Sequence, residues 1–286
     1  MGHVQLPQGK RIAVDLGTDF DAQCLWLGAF NKPSPSYMSR GEFGAEVGTP
    51  RLLELYDRFD VKTSWFTPGH TVDTFPDACR RIRDAGHEFG NHGYYHENPT
   101  KISRETEERL IDLAMQTFDK QLGLRPTGYR SPYWDYSDST LGLVEKFGFK
   151  YDSSLMGRDL VPYRPRRWQV RWEQGNVAGK ASHVLEIPVS WYLDDFPPLA
   201  YVTGIQAGMQ EPRRSTAVGR TSSTTATSGS TIPSSSRAST RRSLARRTTC
   251  CGTSASSNTS RPRTASGSPP AIRSPTRGST TRATRR

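Results

Sequence analysis

Short apolar runs alternate with amphipathic helical stretches at least five times between residues 11 and 195, and polar clusters recur directly after the runs. Strict alternation points to a parallel sheet, because successive parallel strands need a crossover between them, most often a helix. The first run, Arg11 to Asp15, leads to Asp19 and Asp21 and reads as a buried strand. Thr49-Pro50 supplies an N-cap and a proline at the first helical position, which predicts a helix to about Phe59. Strands are expected over 61–67, 87–89, 127–130 and 184–189, with a further short run over 149–151. Helices are expected over 75–85, 103–122 and 141–147, the second carrying Ile111, Met115, Phe118 and Leu122 on one stripe. Residues 25–44 read as a Gly-, Pro- and Ser-rich loop, and the stretch ending near Ser182 as a polar excursion. Chemistry-bearing residues placed beyond strand ends fit a (β/α) barrel with its site on the C-terminal face. A doubly wound open sheet is the alternative, but the chain has no glycine-rich phosphate loop.

Two histidines, His92 and His96, stand four residues apart after Glu88-Phe89-Gly90. In helical or tightly turned backbone they share a face and suit two ligands of one metal ion. A catalytic metal needs a third ligand and an open position. Asp19 and Asp21 are two apart, so extended backbone points them the same way. Paired carboxylates there repel unless a cation lies between them or one holds a proton. Each pair also has a plain alternative: exposed polar histidines, and aspartates that cap a turn. His87 reads as a packing residue.

Taken together, Thr18-Asp19-Phe20-Asp21, His92-Gly93-Tyr94-Tyr95-His96 and Arg130-Ser131-Pro132-Tyr133-Trp134-Asp135 resemble the three motifs of the polysaccharide deacetylases (NodB homology, carbohydrate esterase family 4). Within that family, Asp152-Ser153-Ser154-Leu155-Met156-Gly157 and Val189-Ser190-Trp191-Tyr192-Leu193-Asp194-Asp195 are similar to the branch holding the Helicobacter-type peptidoglycan deacetylase and cyclic-amide hydrolases. The resemblance spans residues 10–205 and implies a distorted (β/α)7-type barrel. It implies that Asp21, His92 and His96 hold a divalent metal, zinc first, with cobalt, nickel or iron as alternatives. It makes Asp19 the base, Arg130 its partner, and the Tyr133 N–H an oxyanion donor. Trp134, Trp191, Asp194 and Asp195 are the expected substrate-contacting residues, although both tryptophans and Tyr133 equally suit a packed barrel mouth. The implied reaction is hydrolysis of a non-peptide amide, with an N-acetylated sugar as first substrate and a small cyclic amide or imide as second. A homo-oligomer is compatible with this reading.

Charge needs the whole length to be understood. The chain of 286 residues has a formal net charge of +11, yet 15 of its 39 Lys and Arg lie beyond residue 211 and none of its 28 Asp and Glu does. Residues 1–211 therefore carry 24 basic against 28 acidic side chains. That argues against a nucleic-acid surface on the folded part, and the arginine-rich end lacks aromatics for stacking. No stretch is long and apolar enough to span a membrane, and no basic-then-apolar leader opens the chain, so cytoplasm is the expected compartment. The four cysteines have neither metal nor disulfide spacing.

Residues 212–286 form a separate compositional block, in which Ser and Thr supply 34 of 75 residues and Phe, Tyr, Trp, Lys, Asp and His are absent. Such a block cannot bury a core and is expected to be disordered. It also reads as a frameshift product. Thr248 to Thr253 can be encoded so that a one-base shift yields His-Asp-Met-Leu-Arg-His, and Ser239 to Ala245 can yield Ile-His-Pro-Thr-Val-Ile-Gly. The family's late histidine, which protonates the leaving amine, then has Thr240 in its place. The domain is expected over 1–211, incomplete at its C-terminal end, and a truncated, inactive homologue is the non-catalytic alternative.

Overall fold

The computed structural model describes residue 8 and residues 13–211. The expected low-complexity tail, the frameshift signature and Thr240 all lie outside the described residues. Six parallel strands form one sheet: β1 (Thr18–Asp19), β2 (Ser64–Thr67), β3 (Glu88–Asn91), β4 (Gly128–Tyr129), β5 (Tyr151–Asp152) and, after a two-stranded excursion, β8 (Leu185–Glu186). Each strand pairs with the next in that order. Among the described residues no reversal of strand order occurs, so they hold no switch point of the kind a doubly wound sheet requires. The sheet is an incomplete (β/α) barrel.

Its interior is filled by rings that replace missing side chains. A Cβ on Gly90 would stand 2.3 Å from the Phe66 ring, and one on Gly128 would stand 2.1 Å from the Tyr151 ring. Gly90 and Gly128 are register partners on β3 and β4, so the two glycines open one level of the barrel to both aromatics. Phe66 and Tyr151 meet edge to face at 6.3 Å.

Helices cover the outside. α2 (Thr49–Arg58) and α4 (Pro76–Asp84) contribute Leu52, Tyr56, Ala78, Cys79 and Ile82 to a core with Phe20, Trp65 and Phe89. α5 (Arg104–Leu122) starts at Ser103, whose hydroxyl accepts from the Thr106 N–H, and stops at Gly123 in left-handed conformation. Its buried face packs Phe118 and Leu122 into that core, and Ile111 and Met115 into a second one with Leu143 and Val144 of α6 (Thr140–Lys146).

Several expectations are corrected. Residues 25–44 are not a loop: a wide helical turn covers Leu25–Ala29, and α1 (Pro35–Phe43) runs through the turn Gly44–Gly48 into α2 without leaving helical backbone. Thr49 therefore caps nothing; its hydroxyl donates back to the Gly44 carbonyl at 3.0 Å, inside the helix. Local propensity missed this segment because Gly41 and Gly44 read as turn residues. Gly41 is instead small for packing, since a Cβ there would meet the Gln23 backbone at 2.5 Å. Pro68-Gly69 does stop β2, but a short helix α3 (Gly69–Thr74) follows at once. The polar excursion contains a hairpin, β6 (Arg166–Gln169) and β7 (Val177–Ala181). After β8, α7 (Phe196–Leu199) and a small antiparallel pair, β9 (Tyr201–Val202) with β10 (Gln206–Ala207), close the described chain. Among the described residues no helix is long and apolar enough to cross a membrane.

Candidate metal and amide-hydrolysis site

The polar residues collect at the C-terminal ends of β1, β3 and β4. Asp21, His92 and His96 are all buried, and one donor atom from each lies within 4.8 Å of the others; this is the one such cluster among the described residues. The histidines do not sit on a helix. β3 ends at Asn91, and a tight turn through Gly93 (φ +69°) and His96 (φ +63°) brings the second ring back beside the first, with ring centroids 5.0 Å apart. A carboxylate makes the turn rigid: Glu97 accepts the N–H groups of Tyr94 at 3.0 Å and of Tyr95 at 2.8 Å. Gly28 lies against the same turn, where a Cβ would stand 2.1 Å from the Tyr95 carbonyl oxygen. Thr71 holds the third corner by donating to the Asp21 carbonyl at 2.7 Å.

Charge and spacing agree on what belongs between these groups. His92 Nε2 lies 3.5 Å from Asp21 Oδ1, and His96 Nε2 lies 3.6 Å from Asp21 Oδ2. These contacts are too long for strong hydrogen bonds, and Asp21 Oδ1 has no hydrogen-bond partner. They are not ion pairs either, because burial holds both rings neutral, pushing His96 down to about 3 and lowering His92 as well. Two ligands at ~2.1 Å from one tetrahedral ion lie about 3.4 Å apart, close to the observed spacing. Burial, with Asp19 and Asp194 nearby, also raises Asp21, while Arg130 opposes the rise. A buried carboxylate whose charge Arg130 only partly offsets, facing two neutral imidazoles, fits a divalent cation. His92 is already oriented as a ligand, since its Nδ1 donates to the Arg130 carbonyl at 2.6 Å, which leaves the Nε2 lone pair facing Asp21. His96 Nδ1 is buried without such a partner.

Asp19 stands beside this cluster and is ion-paired with Nη1 of Arg130. The guanidinium is fully buried, lies 3.8 Å above the Phe66 ring, and donates to Ser153 O at 2.9 Å and to Ser153 Oγ at 2.8 Å. After β4 the backbone enters left-handed conformation at Tyr133 (φ +63°) and Trp134 (φ +51°), uncommon for such residues. Tyr133 packs its ring 5.3 Å from that of His96 and donates its hydroxyl to the Gly28 carbonyl at 3.2 Å. Trp134 and Trp191 pack with centroids 4.5 Å apart and ring planes tilted by 33° at the rim, Trp191 half-exposed. Asp194 acts electrostatically on Asp21 and accepts the Phe196 N–H at 3.0 Å. Asp195 sits at the start of α7. His87 packs on Tyr56 and Trp65 and accepts the Thr63 N–H, as a core residue does.

The sequence reading gave no role to Glu97 or Glu186 and used Ser153 and Ser154 only as part of a family motif. Glu186 carried a signal, being an acid inside the apolar run Val184-Leu185-Glu186-Ile187.

A parallel barrel with histidines and a carboxylate at the carboxyl ends of its strands defines a class, the barrel hydrolases whose site sits on that face. Comparison narrows the class. A model of the polysaccharide deacetylase family matches residues 41–151. The peptidoglycan deacetylase of Helicobacter pylori is 40% identical over 205 residues, covering 68% of this chain and 70% of that protein. A peptidoglycan deacetylase-like protein of Gibberella zeae is 31% identical over 218 residues, covering 70% of this chain and 64% of its own length. A crystal structure of a "putative polysaccharide deacetylase" from Mycobacterium smegmatis superposes with a TM-score of 0.69 at 32% identity, over 79% of this chain and 76% of that one. Puue allantoinase shares the fold, with a TM-score of 0.62 at 21% identity over 80% of this chain and 76% of that one. The chain belongs to the polysaccharide deacetylase family.

Proposed function

We propose that this protein is a metal-dependent N-deacetylase of a polysaccharide or peptidoglycan, hydrolysing an acetamide to acetate and a free amine. The observation that carries the reading is the buried Asp21, His92 and His96 cluster with the Asp19–Arg130 ion pair beside it. Asp21, His92 and His96 would hold the cation. When bound, a divalent cation there supplies Lewis acidity, acidifying water and polarising the amide carbonyl. Asp19 takes the proton from the attacking water. Its ion pair with the buried Arg130 favours the ionised form and fixes its direction. The Tyr133 N–H, presented by left-handed backbone, is the proposed donor to the oxyanion. The packed Trp134 and Trp191 offer apolar faces to a sugar ring, with Asp194 at the same rim. As the C–N bond breaks, the proton that Asp19 took from water passes to the leaving amine, which restores the Asp19 carboxylate.

The experiment is an acetate-release assay on N-acetylated glycan and on peptidoglycan, after loading with zinc, cobalt, nickel or iron. His92→Ala serves as the control, and ring opening of a cyclic amide is measured in parallel. Acetate release that needs both cation and His92 supports the reading. Cyclic-amide hydrolysis alone replaces the substrate, and cation binding without turnover marks an inactive homologue.

A further inference from the structure

Below the Arg130 corner lies a second pair of carboxylates that the proposed reaction does not use. Asp152 ends β5, Glu186 ends β8, and the two are register partners, both completely buried. One oxygen of each is satisfied. Asp152 Oδ1 accepts the Ser154 hydroxyl at 2.7 Å, and Glu186 Oε1 accepts the N–H groups of Ser154 at 3.0 Å and Leu155 at 2.9 Å. The remaining oxygens, Asp152 Oδ2 and Glu186 Oε2, accept no hydrogen bond of ordinary geometry; the buried Tyr136 hydroxyl faces Asp152 as a weak donor, and among the described residues nothing comparable faces Glu186 Oε2.

Two ionised acids buried side by side are costly, and both are acceptors only. One proton between them satisfies both free oxygens and halves the charge. Burial and Asp152, through its charge and a side-chain hydrogen bond, push Glu186 up to about 11. The titratable groups facing the pair are the phenols of Tyr129, Tyr136 and Tyr163, all raised and therefore neutral.

The pair reaches the site in two bonds. Ser154 Oγ, which donates to Asp152, accepts the Ser131 N–H at 2.8 Å. Ser153, the residue before it, holds Arg130 through its carbonyl and its hydroxyl. The Arg130 guanidinium in turn pairs with Asp19, and the Arg130 backbone carbonyl accepts from His92 Nδ1.

We propose that Asp152 and Glu186 are positioning residues: sharing a single proton, they fix the Ser153–Ser154 turn and, through it, the Arg130 guanidinium that orients Asp19. This rests on the reading of Asp19 as the base.

One shared proton makes a prediction that two independent acids do not. Glu186→Gln keeps an acceptor for the two N–H groups and replaces the proton with an amide donor. Asp152→Asn does the same from the other side. The double variant places two amide donors against each other with no acceptor between them. Each single variant should keep near wild-type kcat, while the double should lose on the order of 10²-fold in kcat, more than the two singles combined. The loss should fall on kcat with KM little changed, since the substrate-contacting rim is untouched.

Two readouts need no turnover. Infrared spectra of the full chain at pH 7 should show a protonated-carboxyl band that disappears in each single variant. The sign of the stability linkage follows from the raised Glu186: between its unfolded value near 4.5 and about 11, the native state holds a proton that the unfolded chain has released. Wild-type stability should therefore fall, relative to Glu186→Gln, as pH rises through that window. A missing infrared band, or parallel stability curves, overturns the shared proton even if the enzyme is active. A double variant as active as wild type, with the band present, overturns the positioning role. Failure of the wild type to hydrolyse any amide refutes Asp19 as base and with it the positioning role, while the band and the stability curves still decide the proton.

Discussion

The corner that carries Asp21, His92 and Arg130 and the hairpin of β6 and β7 follow opposite building rules. At the corner each functional group is held from several elements, by Thr71, Glu97, Ser153 and the Gly28 backbone, and almost nothing reaches solvent. Every residue of both hairpin strands is exposed; Trp168 is 59% exposed, and Trp172, in the turn between the strands, is 95% exposed. The difference shows where geometry matters. Displacement at the corner is transmitted to the donor atoms, whereas the hairpin has few partners to disturb. The corner should therefore punish small changes and the hairpin tolerate large ones.

The largest effect is expected from removing a donor. Asp21→Ala, His92→Ala or His96→Ala should each weaken zinc binding by at least ~100-fold, read by calorimetry, since even residues behind the ligands are worth 10–100-fold in such sites. Retention of tight zinc binding by His92→Ala would place the cation elsewhere and break the contrast at its strongest point.

Asp19→Asn should separate chemistry from binding. Zinc affinity should stay near wild type while acetate release falls by about 10²–10⁴, the usual worth of a general base. Asp21→Asn should instead weaken the metal itself. Equal loss of zinc in both variants would mean that the two aspartates have been given each other's roles.

Gly28→Ala tests transmission through the backbone. Its Cβ would stand 2.1 Å from the Tyr95 carbonyl and 2.4 Å from that of His96, so the histidine turn must move. A cost of about 1–3 kcal/mol is expected, as for overpacked sites, together with weaker zinc binding. Thermal melts with and without zinc measure both; an unchanged melt would show that the turn yields freely.

The smallest effect should come from Trp172→Ala. With the side chain in solvent, stability should change by no more than ~0.5 kcal/mol and acetate release not at all. A marked loss in either would mean that the hairpin is covered in the working protein and that the contrast drawn above holds only for the isolated chain.

Much of this site was legible before any coordinate. Alternating apolar runs predicted the parallel sheet, and the order of Asp19, Asp21, His92, His96 and Arg130 along the chain matched a family pattern. The short-range signals that failed were those where one residue type serves two purposes. Gly41 and Gly44 read as turn residues but lie within one helical run from 35 to 58, and at Gly41 only a residue without Cβ fits against Gln23. The histidine pair read as helical or turned, and the turn was decided by Glu97 accepting backbone N–H groups.

By itself, the sequence determined the alternation of strand and helix and the order in which the polar motifs follow the strands, because periodicity and spacing are properties of a linear chain; the roles proposed for those motifs came from family resemblance. Only the tertiary structure decided that Asp152 and Glu186 meet, that Arg130 is buried against Ser153, and that Asp194 reaches the field of Asp21. Those relations join residues more than twenty positions apart. Their energies depend on burial and on which partner stands opposite, and neither exists until the strands have paired and the helices have packed on them.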